Sequence, residues 1–85
     1  MTKIIDYSKR GQIFGRDLQA IIGRLLYEER WKRSLPLSRV SNKTNMKPEK
    51  IENIELARCN MHWGRIKHLL DFYGKQLVIN LIDKE

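Results

Sequence analysis

The chain has 85 residues, a formal net charge of +7 and one cysteine. This length favours a single domain over residues 1–85, near the size at which one hydrophobic core is only marginally sufficient, and a lone cysteine excludes an intrachain disulfide. There is no apolar run of membrane-spanning length and no signal-peptide pattern, so the sequence predicts a cytoplasmic protein without a membrane partner.

The positive charge is concentrated in the middle of the chain. Residues 30–68 carry ten basic and three acidic side chains, whereas residues 1–29 carry five and four. Segregated positive charge is typical of a surface that binds a polyanion, because lysine and arginine contact phosphates and release counterions. A solubilising surface is the alternative, but it would not need this segregation.

The first third of the chain predicts an arm followed by a helix. Residues 1–13 are interpreted as an N-terminal arm or short strand, with TKIIDY as the strand candidate. From Phe14 to Arg33 the apolar residues recur at helical spacing, and Asp17 is a candidate N-cap, with an earlier start of the helix as the alternative. Gly23 lies inside this helix at a cost of about 1 kcal/mol relative to alanine, which indicates close packing against another element.

Residues 35–55 predict two short helices joined by a tight turn. The first helix is expected over Leu37–Thr44 and the second from Pro48 to about Leu56, with Asn45 in a left-handed turn conformation. The inward positions are apolar or small: Val40, Ser41, Met46, Ile51 and Ile54. The outward positions of the second helix are Lys47, Pro48, Glu49, Lys50 and Asn53. Such a unit is the shape of a helix-turn-helix DNA reader.

The last third predicts a helix and a strand. Asn60 is the expected cap of a fourth helix that ends at Gly74, which completes a helical core over residues 14–74. The apolar residues Ile66, Leu69, Leu70 and Tyr73 form its stripe. A strand is predicted over residues 76–83, formed by Leu77, Val78, Ile79, Asn80, Leu81 and Ile82.

A lone strand exposes unpaired edges, so this one needs a partner strand. Lys3–Tyr7 is the candidate within the chain, and the same segment of a second chain, antiparallel about a two-fold axis, is the other. The two are compatible if the N-terminal segment adds an outer strand to a central pair. We expect the central pair, because a two-fold dimer would also place two reader helices on a palindromic site.

The sequence predicts neither an enzyme nor a cofactor or metal site. Cys59, His62 and His68 lack a fourth ligand and a recognised metal spacing, and no nucleophile has an accompanying base. Trp31 and Trp63 are open to two interpretations, as stacking platforms for single strands or as residues that close the edge of a small core.

Arg30 followed by SLPLSRVSNKTNMKPEKIENIE resembles the Xre/Cro-type helix-turn-helix family of small bacterial and phage repressors. The resemblance covers about residues 18–73 and implies a largely buried ion pair between Arg30 and Glu55 that braces the first helix against the reader helix. It also implies that Lys47, Pro48, Glu49, Lys50 and Asn53 face the major groove. Departures are Leu37 where the family often has a phosphate-binding glutamine, Asn45 for the turn glycine, and Leu56-Ala57 for the usual polar residue and glycine after the glutamate.

The ending LLDFYGKQLVINLIDKE resembles a narrower group, the HipB-like antitoxins, in which a C-terminal strand pairs across the dimer axis. The sequence therefore predicts a mainly α fold of four to five helices with a dimerising C-terminal strand. The expected function is that of a sequence-specific double-stranded DNA-binding repressor and homodimer, with a cognate toxin as a further partner. A module that masks a toxin, with DNA binding secondary, is the main alternative, and RNA binding is a more distant third. Phosphate contacts are expected from Ser38, Arg39, Lys43, Arg58 and Asn60.

Overall fold

A computed structural model describes residues 2–4, 12–13 and 15–80 of the chain. Within this part the protein is mainly helical, with four helices and four short strands. In chain order they are β1 (Thr2–Ile4), β2 (Gln12–Ile13), α1 (Arg16–Lys32), α2 (Leu37–Thr44), α3 (Pro48–Glu55), β3 (Met61–His62), α4 (Trp63–Tyr73) and β4 (Val78–Asn80).

The first helix begins later than the apolar spacing indicates. Its N-cap is Gly15 with a φ of +92°, a conformation that glycine adopts without strain, so Asp17 lies in the first turn and the prediction that it caps the helix is wrong. Phe14 lies outside the described residues. Gly23 does mark a close approach, because a Cβ there would lie 2.5 Å from the Ile54 carbonyl oxygen. Helices α1 and α3 therefore cross nearly backbone to backbone at this point.

Helices α2 and α3 have the bounds that the sequence predicts to within one residue. Asn45 ends α2 with a φ of 63° and a ψ of 24°, the expected left-handed conformation. Pro48 opens α3, where its missing N–H leaves no helical hydrogen bond unmade. Met46 and Ile51 both pack into the core on either side of the Lys47 cap, the arrangement of a hydrophobic staple.

The start of α4 corrects a second predicted cap. The N-cap is His62, not Asn60, because Met61–His62 forms a short strand that pairs antiparallel with Gln12–Ile13. This pairing holds the backbone extended up to the first residue of the helix. At the other end Gly74 stops the helix with a φ of 67°, as predicted.

The C-terminal strand has its partner within the chain. Val78–Asn80 pairs antiparallel with Thr2–Ile4, and Lys3 lies opposite Ile79. Of the alternatives for this strand, the intrachain one is therefore present over three residue pairs. The remaining predicted strand residues, including Leu81 and Ile82, lie outside the described part of the chain.

One hydrophobic core joins the four helices. Its buried apolar residues include the whole predicted stripe of α4, together with Val40 of α2 and Ile51 and Ile54 of α3. They are Ile22, Leu26, Val40, Ile51, Ile54, Met61, Ile66, Leu69, Leu70 and Tyr73. Because α2 and α3 have only eight residues each, too few for a stable isolated helix in water, this shared core is what holds them.

Candidate nucleic-acid interface

The turn between α2 and α3 is held by hydrogen bonds from both sides. The Ser41 hydroxyl donates to the Met46 carbonyl oxygen at 2.5 Å, and the Asn45 backbone N–H donates to the Ser41 carbonyl oxygen at 2.8 Å. On the far side the Nε2 atom of His68 lies 2.6 Å from the Thr44 carbonyl oxygen, which leaves that nitrogen as the donor. Helix α4 thus anchors the end of α2, and the start of α3 has a fixed position relative to both.

The polar residues at the start of α3 face outward. Lys47, Pro48 and Glu49 are exposed, and Lys50 and Asn53 are half-buried. The inward side of the same helix is formed by Ile51, Ile54 and Glu55, all buried. This eight-residue helix therefore presents one face to solvent while its opposite face is fixed in the core.

The expected phosphate-contacting residues lie in two places. Ser38, Arg39 and Lys43 are exposed on α2, and Arg58 and Asn60 are exposed in the loop between α3 and β3. The loop is tied to α3, because the Arg58 backbone N–H donates to the Asn53 carbonyl oxygen at 2.8 Å. Ala57, the residue before Arg58, has a φ of 54°. It stands at the position where the Xre/Cro-type family, which the sequence resembles, usually has glycine.

Ion pairs divide the basic side chains into two groups. On α1, its C-cap and α4, Arg24, Arg30, Lys32, Arg33 and Lys67 each pair with a carboxylate, whereas Arg16 and Arg65 pair with none among the described residues. On α2 and the start of α3, Arg39, Lys43, Lys47 and Lys50 have no ion-pair partner among the described residues. The positive charge of these four side chains is not neutralised within the described part of the protein, which is what a polyanion-binding surface requires.

Arg30 and Glu55 form a bidentate ion pair between α1 and α3. The Arg30 Nε lies 2.8 Å from Glu55 Oε2 and its Nη2 lies 3.0 Å from Oε1. The two side chains are only 16% and 3% exposed. The remaining Nη1 donates to the Leu35 carbonyl oxygen at 3.0 Å, at the entry to α2. The hydrogen-bonded Glu55 carboxylate raises the pKa of the Arg30 guanidinium above its usual value.

The structure also bears on the other candidate features, namely a metal site, the two tryptophans and a membrane span. The described residues contain no group of three or more histidine, cysteine or acidic side chains that could hold a metal ion. Trp63 packs against the core, but Trp31 is 71% exposed and stacks on Tyr27, so only one of the two tryptophans closes a core edge. None of the helices in the described ranges is long and apolar enough to cross a membrane.

Two residues near the interface were not among the predicted site residues. Ser41 was expected only as a small residue at a helix crossing, and its hydroxyl also holds the turn. Arg16 lies in the first turn of α1 and lines a cleft with Arg58 and Asn60. The sequence did contain a signal for Arg16, because a basic residue stands in the first turn of a helix, where the helix dipole favours an acidic one. A search for apolar periodicity does not detect such a signal.

The chain matches no protein-family model, no curated protein and no solved structure in comparisons with all three. The likeness to the Xre/Cro-type family therefore rests on the sequence from Arg30 to Glu55 quoted above. It stays a prediction.

Proposed function

We propose that this protein is a helix-turn-helix repressor that binds double-stranded DNA sequence-specifically as a homodimer. In this proposal α2 and α3 form the helix-turn-helix, and the outward residues Lys47, Pro48, Glu49, Lys50 and Asn53 enter the major groove. Ser38, Arg39, Lys43, Arg58 and Asn60 contact the flanking phosphates. The proposed location is the bacterial cytoplasm, and the gene would belong to the bacterium or to a phage.

The observation that carries the proposal is the unpaired positive charge around an anchored short helix. Arg39, Lys43, Lys47 and Lys50 all lack carboxylate partners among the described residues, while five of the seven basic residues on α1, its C-cap and α4 have them. Phosphate contacts fix a protein on the duplex, and base contacts supply its preference. Asn53 can pair in a bidentate manner with adenine, and Glu49 can accept from a cytosine amino group.

The proposal of a homodimer is supported by the C-terminal strand. Strand β4 pairs with β1 along one edge, and no other described strand pairs with it. An apolar strand with a second, unpaired edge is a template for another chain. A second copy of β4, antiparallel about a two-fold axis, would give a four-stranded sheet with β1 outermost on each side. Two reader helices about 34 Å apart would then meet a palindromic operator.

A second candidate function is supported by an apolar patch away from α2. Tyr27 and Trp31 stack on each other with their ring centroids 6.3 Å apart, and Leu56 is exposed beside the same side of α1. Exposed aromatic and aliphatic side chains together are typical of protein-binding surfaces. In this alternative the protein neutralises a partner toxin through the patch, with DNA binding secondary. The antitoxin and autoregulator role combines both functions.

The test is selection of bound duplexes from a random DNA pool, followed by affinity measurements on the selected sequence. A defined, palindromic consensus is expected. Asn53→Ala should relax the preference at one base position by about 1–3 kcal/mol of discrimination. Lys43→Ala, the matched control on α2, should weaken all duplexes equally and reduce the salt dependence. An Asn53→Ala protein that selects an unchanged consensus would exclude α3 as the reader.

A further inference from the structure

A cleft of about 700 Å³ lies between the start of α1 and the loop that follows α3. One wall includes Arg16 and Gln19 of α1, and the other includes Arg58 and Asn60 of the loop. Arg58 and Asn60 already belong to the proposed DNA-binding surface. The cleft therefore continues that surface onto the first helix, which lies outside the helix-turn-helix.

Among the described residues, Arg16 has no contact that would explain its position. Its side chain is exposed and forms no hydrogen bond or ion pair with any described residue. It also lies in the first turn of a 17-residue helix, where a positive charge opposes the helix dipole. An anion beside it would remove this unfavourable interaction.

The other arginine of the cleft is available to the same anion. Arg58 pairs with Glu52 at 3.3 Å, but both side chains are about half exposed. An ion pair of this kind contributes little to stability, so Arg58 can exchange the carboxylate for a phosphate at little cost. Asp17 is the one carboxylate lining the cleft among the described residues, so the two arginines leave a net positive lining.

We infer that this cleft receives a phosphate of the DNA backbone, with Arg16 as a phosphate contact on α1. The inference rests on the proposed function, because the phosphate belongs to the duplex read by α3. A guanidinium presents paired N–H donors that match two phosphate oxygens, and Asn60 adds an amide donor on the opposite wall. Arg16 is not on the reader helix, so its contact adds affinity without sequence preference.

The experiment measures duplex affinity against salt concentration for four proteins. These are the wild type, Arg16→Ala, Arg16→Lys and the matched control Arg24→Ala, which removes the same charge from an exposed position on the same helix that does not line the cleft. The probes are a duplex with the selected sequence and an unrelated duplex of equal length. Melting temperatures show whether each variant is folded.

Arg16→Ala should lower the slope of log affinity against log salt by about 0.9, the value of one phosphate contact. Both duplexes should lose affinity by the same several-fold factor. Arg16→Lys should keep most of the slope because it keeps the charge. A fifth protein, Asp17→Asn, which removes the carboxylate from the cleft, should bind both duplexes more tightly.

Three outcomes would overturn the inference. If the salt slope of Arg16→Ala equals that of Arg24→Ala, Arg16 does not contact a phosphate. The proposed function would still stand in that case, provided that the wild type binds the duplex. A change in the preferred sequence caused by Arg16→Ala would make Arg16 a base contact instead. Failure of the wild type to bind any duplex would overturn the proposed function and the inference together.

Discussion

The ion pair between Arg30 and Glu55 makes the sharpest stability prediction. Replacing Arg30 by methionine keeps the length of the apolar stem but leaves the Glu55 carboxylate, 3% exposed, without its bidentate partner. It also removes the donor to the Leu35 carbonyl oxygen. Stranding one charge of a buried pair typically costs about 3–5 kcal/mol.

That cost is large for a domain of this size. A chain of 85 residues has a total stability of about 4–13 kcal/mol at 0.05–0.15 kcal/mol per residue. Each 1 kcal/mol shifts the melting temperature of such a domain by about 4–8 °C, so Arg30→Met should melt at least about 12 °C below the wild type.

Thermal melting followed by circular dichroism measures this shift. The matched control is Arg24→Met, which breaks an ion pair with side chains 75% and 48% exposed and should cost about 0–1 kcal/mol. The double variant Arg30→Met/Glu55→Leu should recover much of the loss, because an apolar pair leaves no charge stranded. Equal melting temperatures for Arg30→Met and Arg24→Met would refute the brace as a source of stability.

Further predictions concern close packing, backbone strain, a buried hydroxyl and the strand edge. Gly23→Ala should destabilise the protein by about 1–3 kcal/mol in denaturant unfolding, because its Cβ would lie 2.5 Å from the Ile54 carbonyl oxygen. Ala57→Gly should raise the free energy of unfolding by about 0.5–1 kcal/mol, since alanine holds a φ of 54° there; a loss would contradict strain at this turn. Burial raises the pKa of Tyr73 to about 12, and its hydroxyl has no hydrogen-bond partner among the described residues. The folded state thus keeps a proton that the unfolded state releases near pH 10, so stability falls between about pH 10 and 12. Tyr73→Phe should lack this additional alkaline loss in urea titrations at several pH values. Ile79→Lys should give a monomer or an insoluble chain with weakened operator binding, and sedimentation showing a wild-type monomer at micromolar concentration would exclude the proposed dimer.

Local signals account for the features that the sequence predicted correctly. Asn45 and Gly74 end helices because their residue types tolerate a left-handed conformation, and Pro48 opens one because it needs no N–H partner. The α4 stripe was recognised because a helix buries one face at a fixed spacing. Each of these depends on residues within one or two turns of one another.

The two wrong caps show what local signals leave out. Asn60 is a good capping residue, but Met61–His62 is held extended by Gln12–Ile13, nearly fifty positions earlier in the chain. Such a pairing depends on the tertiary fold, which overrides the preference of one side chain. The cleft at Arg16 escaped prediction for the same reason, because its two walls are some forty residues apart in sequence.

Because α3 has a buried face and an outward face, its contribution to stability and its proposed reading of DNA can be tested separately. Ile51, Ile54 and Glu55 form the buried face of α3, so changes on this face should lower stability and the proposed DNA binding together. Asn53 is half-buried on the outward side, and truncating its side chain leaves the backbone bond from Arg58 to its carbonyl oxygen in place. A loss of affinity in Arg30→Met therefore has two possible causes, whereas a loss in Asn53→Ala has one if its melting temperature is unchanged. Binding assays below the melting transition of Arg30→Met separate the two: a folded Arg30→Met protein that keeps the wild-type consensus would assign the brace to stability and leave recognition to the outward residues.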